Sequence, residues 1–180
     1  MRKILSRYQR VTARGLIVVP LIADSPPDAA EAVSEIQTQH HIEHIDIVIA
    51  SAGIVQGRGT VAAESQYSQV RLYLISTLLA SIHEIEQIPS LTAAYGMSKV
   101  AGNYLIKKID AENEDLIALA IDPGMVQTDM GSRAAQAHGL EKAPVTVQDT
   151  VHGITSQIEA ATKATTSGQF VNYNGEKVRW

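Results

Sequence analysis

Apolar residues in this chain gather into two kinds of run, and the alternation between them points to the fold class. Short, near-continuous runs at LIVVPLI (16–22), IDIVIA (45–50), RLYLIS (71–76) and LIALAID (116–122) read as strands. IDIVIA, bounded by His44 and Ser51, and LIALAID read as buried on both faces. Longer segments between them carry helical spacing. After Pro26 and Pro27, the stretch AAEAVSEIQTQHH sets Ala29, Ala32, Val33 and Ile36 on one face, with Asp28 and Glu31 as its expected cap. A short helix is expected at 61–69. A long helix from Ala93 to Ala111 is expected to bury Met97, Val100, Ala101, Tyr104, Leu105 and the stem of Lys108. Thr146 with Asp149 caps a further helix, whose stripe is Val147, Val151, Ile154, Ile158 and Ala161. GQFVNYNG at 168–175 closes as a strand and turn. Strands alternating with helices predict an α/β chain with a mostly parallel sheet and right-handed crossovers, without internal repeats.

Composition narrows the function classes. A chain of 180 residues with 45% hydrophobic content fits one ordinary domain. The absence of cysteine excludes a disulfide framework, thiolate catalysis and cysteine-ligated metals, and suits a cytoplasmic setting. No apolar run approaches the roughly 20 residues that cross a bilayer, so no membrane span is expected. Charge is uneven. Residues 1–23 hold Arg2, Lys3, Arg7, Arg10 and Arg14 and no acid, so this end carries +5 and the rest −9. Residues 1–14 read as a basic N-terminal extension, with a mitochondrial presequence as the secondary reading. The net acidity of the remainder argues against nucleic acid as a partner.

The chemistry starts at Tyr95-Gly-Met-Ser-Lys99, where helical spacing sets a phenol and an ammonium one turn apart on one face. A cation beside the ring oxygen is expected to lower the tyrosine pKa from about 10, making Tyr95 able to exchange a proton with a carbonyl or alcohol. Two other motifs carry less. Gly57-Arg-Gly59-Thr-Val-Ala62 matches a phosphate-loop pattern, but Ala52 to Gln56 separate it from its strand. His40, His41, Glu43 and His44 have the H-x-x-E-H spacing of a metalloprotease yet lie where a helix ends, so they read as a polar helix terminus and no metal is expected.

Four segments in order, IDIVIASAGI (45–54), RLYLIST (71–77), Tyr95 to Lys99 and ALAIDPGMVQTDMG (118–131), resemble the short-chain dehydrogenase/reductase family. The resemblance runs from about Leu16 to the end, and within the family it is nearest fungal polyketide ketoreductases of the norsolorinic acid ketoreductase type. It implies that Tyr95 is the general acid/base and that Lys99 tunes it and holds the nicotinamide ribose. Thr77, with Ser76 as second candidate, would polarise the carbonyl. Pro123 and Gly124 would form the turn under the nicotinamide and Thr128 would bond its carboxamide. Ser51 and Gly53 stand in the family's Asn-Asn-Ala-Gly segment, which here reads Ala50-Ser51-Ala52-Gly53. Residues 125–145 would form the substrate lid. The implied cofactor is NADP or NAD, with NADP preferred; the implied partners are a small carbonyl or alcohol substrate and a second copy of the chain as a homo-oligomer.

Departures from the pattern accompany the matches. The first match is the family's third strand, so the expected fold is an incomplete Rossmann-like, doubly wound sheet lacking the first strand, the Gly-rich turn and the first helix, in one partial domain spanning 1–180. LIVVPLI is therefore expected to pair beside IDIVIA. Asp24 stands two residues beyond the usual place of the adenine-reading aspartate, and the relay asparagine of the family's fourth helix has no counterpart. Two functions follow as expectations. One is NAD(P)H-dependent reduction of a carbonyl, or its reverse. The other is a catalytically impaired, truncated relative acting as an interaction partner or persisting as a gene remnant, which would bind cofactor no better than about millimolar.

Overall fold

The computed structural model describes residues 17–19, 21, 26–51, 70–88 and 92–180. The basic extension at 1–14, Asp24, Gly53, the Gly57 to Ala62 loop and the expected helix at 61–69 lie outside the described residues. Two units are distinguished along the chain, Met1–Glu43 and His44–Trp180.

In the first unit, helix α1 spans Pro26–His40. Two prolines open it, which suits a first turn whose N–H groups have no helical partner. Asp28 is thus inside the first turn, where it favours the helix dipole, rather than at the cap. The expected apolar face is largely in water: Ala29 and Val33 are exposed, Ala32 and Ile36 half-buried. His41 ends the helix with a positive φ of 55°. Ile17, Val18, Val19 and Leu21 take no regular structure, and Ile17, Val18 and Leu21 are exposed. The strand expected at 16–22, and its pairing beside IDIVIA, is not formed at these residues. Pro20 interrupts the run and has no N–H for a ladder.

Among the described residues, the second unit holds four parallel strands in the order β1 (Ile47–Ala50), β2 (Arg71–Ile75), β3 (Ile117–Asp122) and β4 (Gln169–Asn172). All six residues of β3 are buried, as a parallel strand covered on both faces requires. The two-residue period sorts the core into two layers. On one face Leu74, Ala118, Ala120 and Phe170 pack with Ile106 and Ile109 of α2 (Ala93–Glu112). On the other, Tyr73, Ile117, Leu119, Ile121 and Val171 pack with Ala161 and with Ile154 and Ile158 of the last helix, α4 (Val147–Ala160).

Three expectations are corrected here. β1 is a strand, but Ile47, Val48 and Ile49 are 41, 40 and 51% exposed instead of buried, because it is hydrogen-bonded to β2 alone in the described sheet, and the helices cover β2 to β4. In α2, Met97 and Tyr104 are 67 and 68% exposed and Ala101 and Lys108 are also outside, while Gly96, Lys99, Gly102, Asn103, Ile106 and Ile109 are buried. The helix approaches the sheet through its glycines: a Cβ on Gly102 would lie 2.8 Å from Leu74 Cδ2. In α4, Val147 and Val151 are exposed and only the later part of the stripe packs. Its cap is as expected, with Thr146 Oγ1 accepting from Asp149 N–H at 3.0 Å.

Candidate active site

The carboxyl ends of β2 and β3 converge with the start of α2. Parallel sheets place their ligand crevices at this end. The pairing of Ile75 with Ile121 brings the segment after β2 level with the end of β3, and Ser76 N–H donates to Ile121 O at 2.7 Å. β2 then gives way to Thr77, which caps a 3-10 turn at Leu78–Ala80 by accepting from Leu79 N–H. α2 starts against that turn. Gly96 comes so near it that an added Cβ would lie 3.0 Å from Leu79 O.

Of the two hydroxyls at 76 and 77, that of Ser76 gives its proton to an internal partner, whereas that of Thr77 only accepts, from Leu79 N–H at 3.4 Å. Ser76 is 2% exposed and donates to Asn103 Oδ1 at 2.6 Å. Thr77 is half-buried, so its hydroxyl is the more accessible. Lys99 is 6% exposed; its ammonium donates to Ile75 O at 2.8 Å and lies 5.9 Å from the Tyr95 ring centre. Burial pushes this ammonium below the usual lysine range.

Tyr95 departs from expectation in its proton affinity. Burial, and after it the charge of Asp122, push the phenol above the ordinary tyrosine value. Lys99 does not reverse this, since its ammonium is turned to the Ile75 carbonyl. Asp122 itself is 8% exposed, and burial raises it above the usual carboxylate range, against the backbone N–H groups of Gly124 and Leu78, which favour the charged form.

After β3, Pro123 O accepts from the Thr150 hydroxyl at 2.8 Å, and Gly124 turns the chain with a φ of +74°. A side chain at Gly124 would meet Val145 Cγ2 at 3.0 Å and Tyr173 Cε1 at 3.1 Å. Thr128 caps α3 (Asp129–Ala137), its Oγ1 accepting from Gly131 N–H at 3.1 Å. Ser51 is exposed just beyond β1, and Gly53 lies outside the described residues. The sequence reading missed two residues. Asn103 stands four positions after Lys99, a polar residue on the same helical face, and Asp122 is an acid closing a buried strand before Pro123. Those positions were the available signals.

No protein-family model matches the chain. It is 35% identical over 209 residues to norsolorinic acid ketoreductase nor1 of Dothistroma septosporum, spanning 99% of this chain and 78% of that protein. It is 30% identical over 196 residues to the short-chain dehydrogenase srdF of Neurospora crassa, spanning 92% of this chain and 76% of that one. The NADPH-bound carbonyl reductase from chicken fatty liver shares the fold with a TM-score of 0.71 at 20% identity, over 91% of this chain and 77% of its own. Identity at this level along most of both sequences, with the same fold, settles the relationship: the chain belongs to the short-chain dehydrogenase/reductase family.

Proposed function

We propose that this chain, as a single domain of its family, reduces a carbonyl of a small molecule, with a ketone of fungal polyketide chemistry as the substrate class. The observation that carries the reading is the gathering of Tyr95, Lys99 and Thr77 around the ends of β2 and β3, beside the Pro123-Gly124 turn. A nicotinamide dinucleotide, when bound, supplies the hydride. The donor set suits such a group. Lys99 has three N–H donors and gives one to Ile75, which leaves two for a ribose diol. Thr128 offers a hydroxyl to a carboxamide. NADP is the preferred form, since the polyketide ketoreductase resemblance favours it.

The residues of the chain then supply the proton and the charge control. Tyr95, held above the ordinary phenol range, stays protonated at neutral pH and gives its proton to the carbonyl oxygen as that oxygen gains charge. Thr77 donates to the same oxygen. Lys99, anchored on Ile75, keeps a positive charge near the phenolate that forms.

The test is loss of reduced-nicotinamide absorbance with a panel of aryl and alkyl ketones, comparing the chain with Tyr95→Phe. Reduction by the former and near-silence of the latter is the expected result; equal rates would refute the role of Tyr95. Titration of NADPH against Trp180 fluorescence checks the affinity, and micromolar binding would displace the weak-binding expectation.

A further inference from the structure

We propose that Asn103 is a positioning residue of this site, fastening the turn that carries Thr77 to the helix that carries Tyr95 and Lys99. One face of α2 grips the segment from Ile75 to Ala80. Lys99 donates to Ile75 O at 2.8 Å. One helical turn further on, Asn103 accepts from the Ser76 hydroxyl at 2.6 Å and donates to Ala80 O at 3.4 Å. These two bonds fall on either side of Thr77, so a single side chain, 3% exposed, holds both ends of the 3-10 turn that Thr77 caps.

The amide has one workable orientation. Ala80 O can only accept, so the Asn103 nitrogen must face it, and the amide oxygen is left for the Ser76 hydroxyl. Turned over, the amide would set its oxygen against the Ala80 carbonyl, two buried acceptors with no proton between them. Elsewhere α2 meets these elements through glycines: an added Cβ would lie 3.0 Å from Leu79 O at Gly96 and 2.8 Å from Leu74 Cδ2 at Gly102. Glycine lets the turn come close but has no side chain to stop it sliding along the helix. The directional bonds of Asn103 supply that stop, and with it the place of the Thr77 hydroxyl relative to Tyr95. Rates depend steeply on such placement.

The role rests on the reading of Tyr95 and Thr77 as the reacting groups, and the experiment separates the two. Asn103→Leu keeps the branched shape and removes both bonds. Ser76→Ala removes one of them and leaves α2 unaltered, so it carries the test where Asn103→Leu fails to fold. Backbone nitrogen relaxation, measured by NMR without substrate or cofactor, reads the turn directly. In the unmodified chain the order parameters of Leu78, Leu79 and Ala80 should match those of Ala118 to Ile121 in β3, at about 0.85. In either variant the turn should fall towards about 0.6 while β3 keeps its value. Unchanged order at 78–80, or an equal loss through β3, overturns the proposal.

In NADPH-dependent reduction of the aryl ketone that the unmodified chain turns over fastest, Asn103→Leu should lower kcat by about 10- to 100-fold with KM little changed, and Ser76→Ala by about 3- to 10-fold. In a chain already carrying Thr77→Val, neither substitution should lower kcat by more than a further factor of about 2. An unchanged kcat in both variants, or the same loss with and without the Thr77 hydroxyl, overturns the positioning role even where the turn loosens. Full activity in Tyr95→Phe or Thr77→Val, or no reduction of any ketone by the unmodified chain, would instead overturn the reading of the site, and the proposal with it.

Discussion

Ser76 and Asn103 are joined by a 2.6 Å hydrogen bond inside the core, linking the end of β2 to the middle of α2. That bond divides the two neighbouring hydroxyls by task, and the division can be measured. Ser76→Ala leaves the Asn103 carbonyl buried without its donor and should cost about 1–3 kcal/mol in urea unfolding. Thr77→Val, which removes only the 3.4 Å cap bond from Leu79 N–H, should cost about 0.5–1 kcal/mol of stability and lower kcat/KM about a hundredfold, the scale for removing one donor to a developing oxyanion.

The phenol of Tyr95 predicts the pH dependence of the reaction. Because its pKa is raised, the proton is present through neutral and mildly alkaline pH. Ketone reduction should hold its rate there and fall only above the ordinary tyrosine range. A fall centred below that range in steady-state profiles would contradict the raising of Tyr95 by burial.

Asp110 makes an acid-sensitive clasp between α2 and the segment before β4. Its carboxylate accepts from Lys163 at 2.7 Å and from Ser167, and Lys163 also reaches Asn113 O at 2.7 Å. Burial pushes Asp110 up, but the bonds from Lys163 and Ser167 and the charges of Lys163 and Lys107 outweigh it, so the group is held below its usual value. A pKa depressed on folding gives stability that is present above the unfolded value and lost as pH falls through the folded one. Lys163→Met should therefore destabilise by about 1–2 kcal/mol at neutral pH, with the gap to the unmodified chain closing in acid. Urea midpoints across pH test this.

Two glycines near α3 make a matched pair. A Cβ on Gly131 would lie 1.9 Å from Val126 O, whereas Gly139, at φ +75°, has open space around it. Gly131→Ala should cost about 1–3 kcal/mol through backbone displacement, and Gly139→Ala about 1 kcal/mol through its left-handed backbone alone. Thermal unfolding of the two variants gives the order.

Strand and helix identity was legible where the period of apolar residues was clean. RLYLIS, LIALAID, the segment from Ala93 and the Thr146-Asp149 cap all appear as read. Which face of a helix is buried was not. In α2 the packed side is made of Gly96, Gly102, Lys99 and Asn103, whose burial comes from close approach and from hydrogen bonds to partners far along the chain. A hydropathy pattern has no access to either, so it chose Met97 and Tyr104. The candidate site was legible as residue types, since Tyr95 and Lys99 lie four apart. That Lys99 would turn to Ile75, and that the charge of Asp122 would add to the burial that raises Tyr95, depended on strand register.

The segment between Gly124 and Thr146 leaves and rejoins the body through a closed neck. Val126 bridges Val145, Gln127 N–H reaches Val145 O at 2.8 Å, Val145 N–H reaches Met125 O at 3.1 Å, and the Gln127 side chain holds Ala143 O at 3.0 Å. Beyond that neck, and apart from Thr128 and Gly131, which lie against Val126, the segment has room to change in length and composition while its two ends stay where they are. The molecule thus carries an exchangeable cassette: a chimaera built with a relative's 132–142 segment rewrites the surface beyond the neck and leaves Tyr95, Lys99, Thr77 and Thr128 in place.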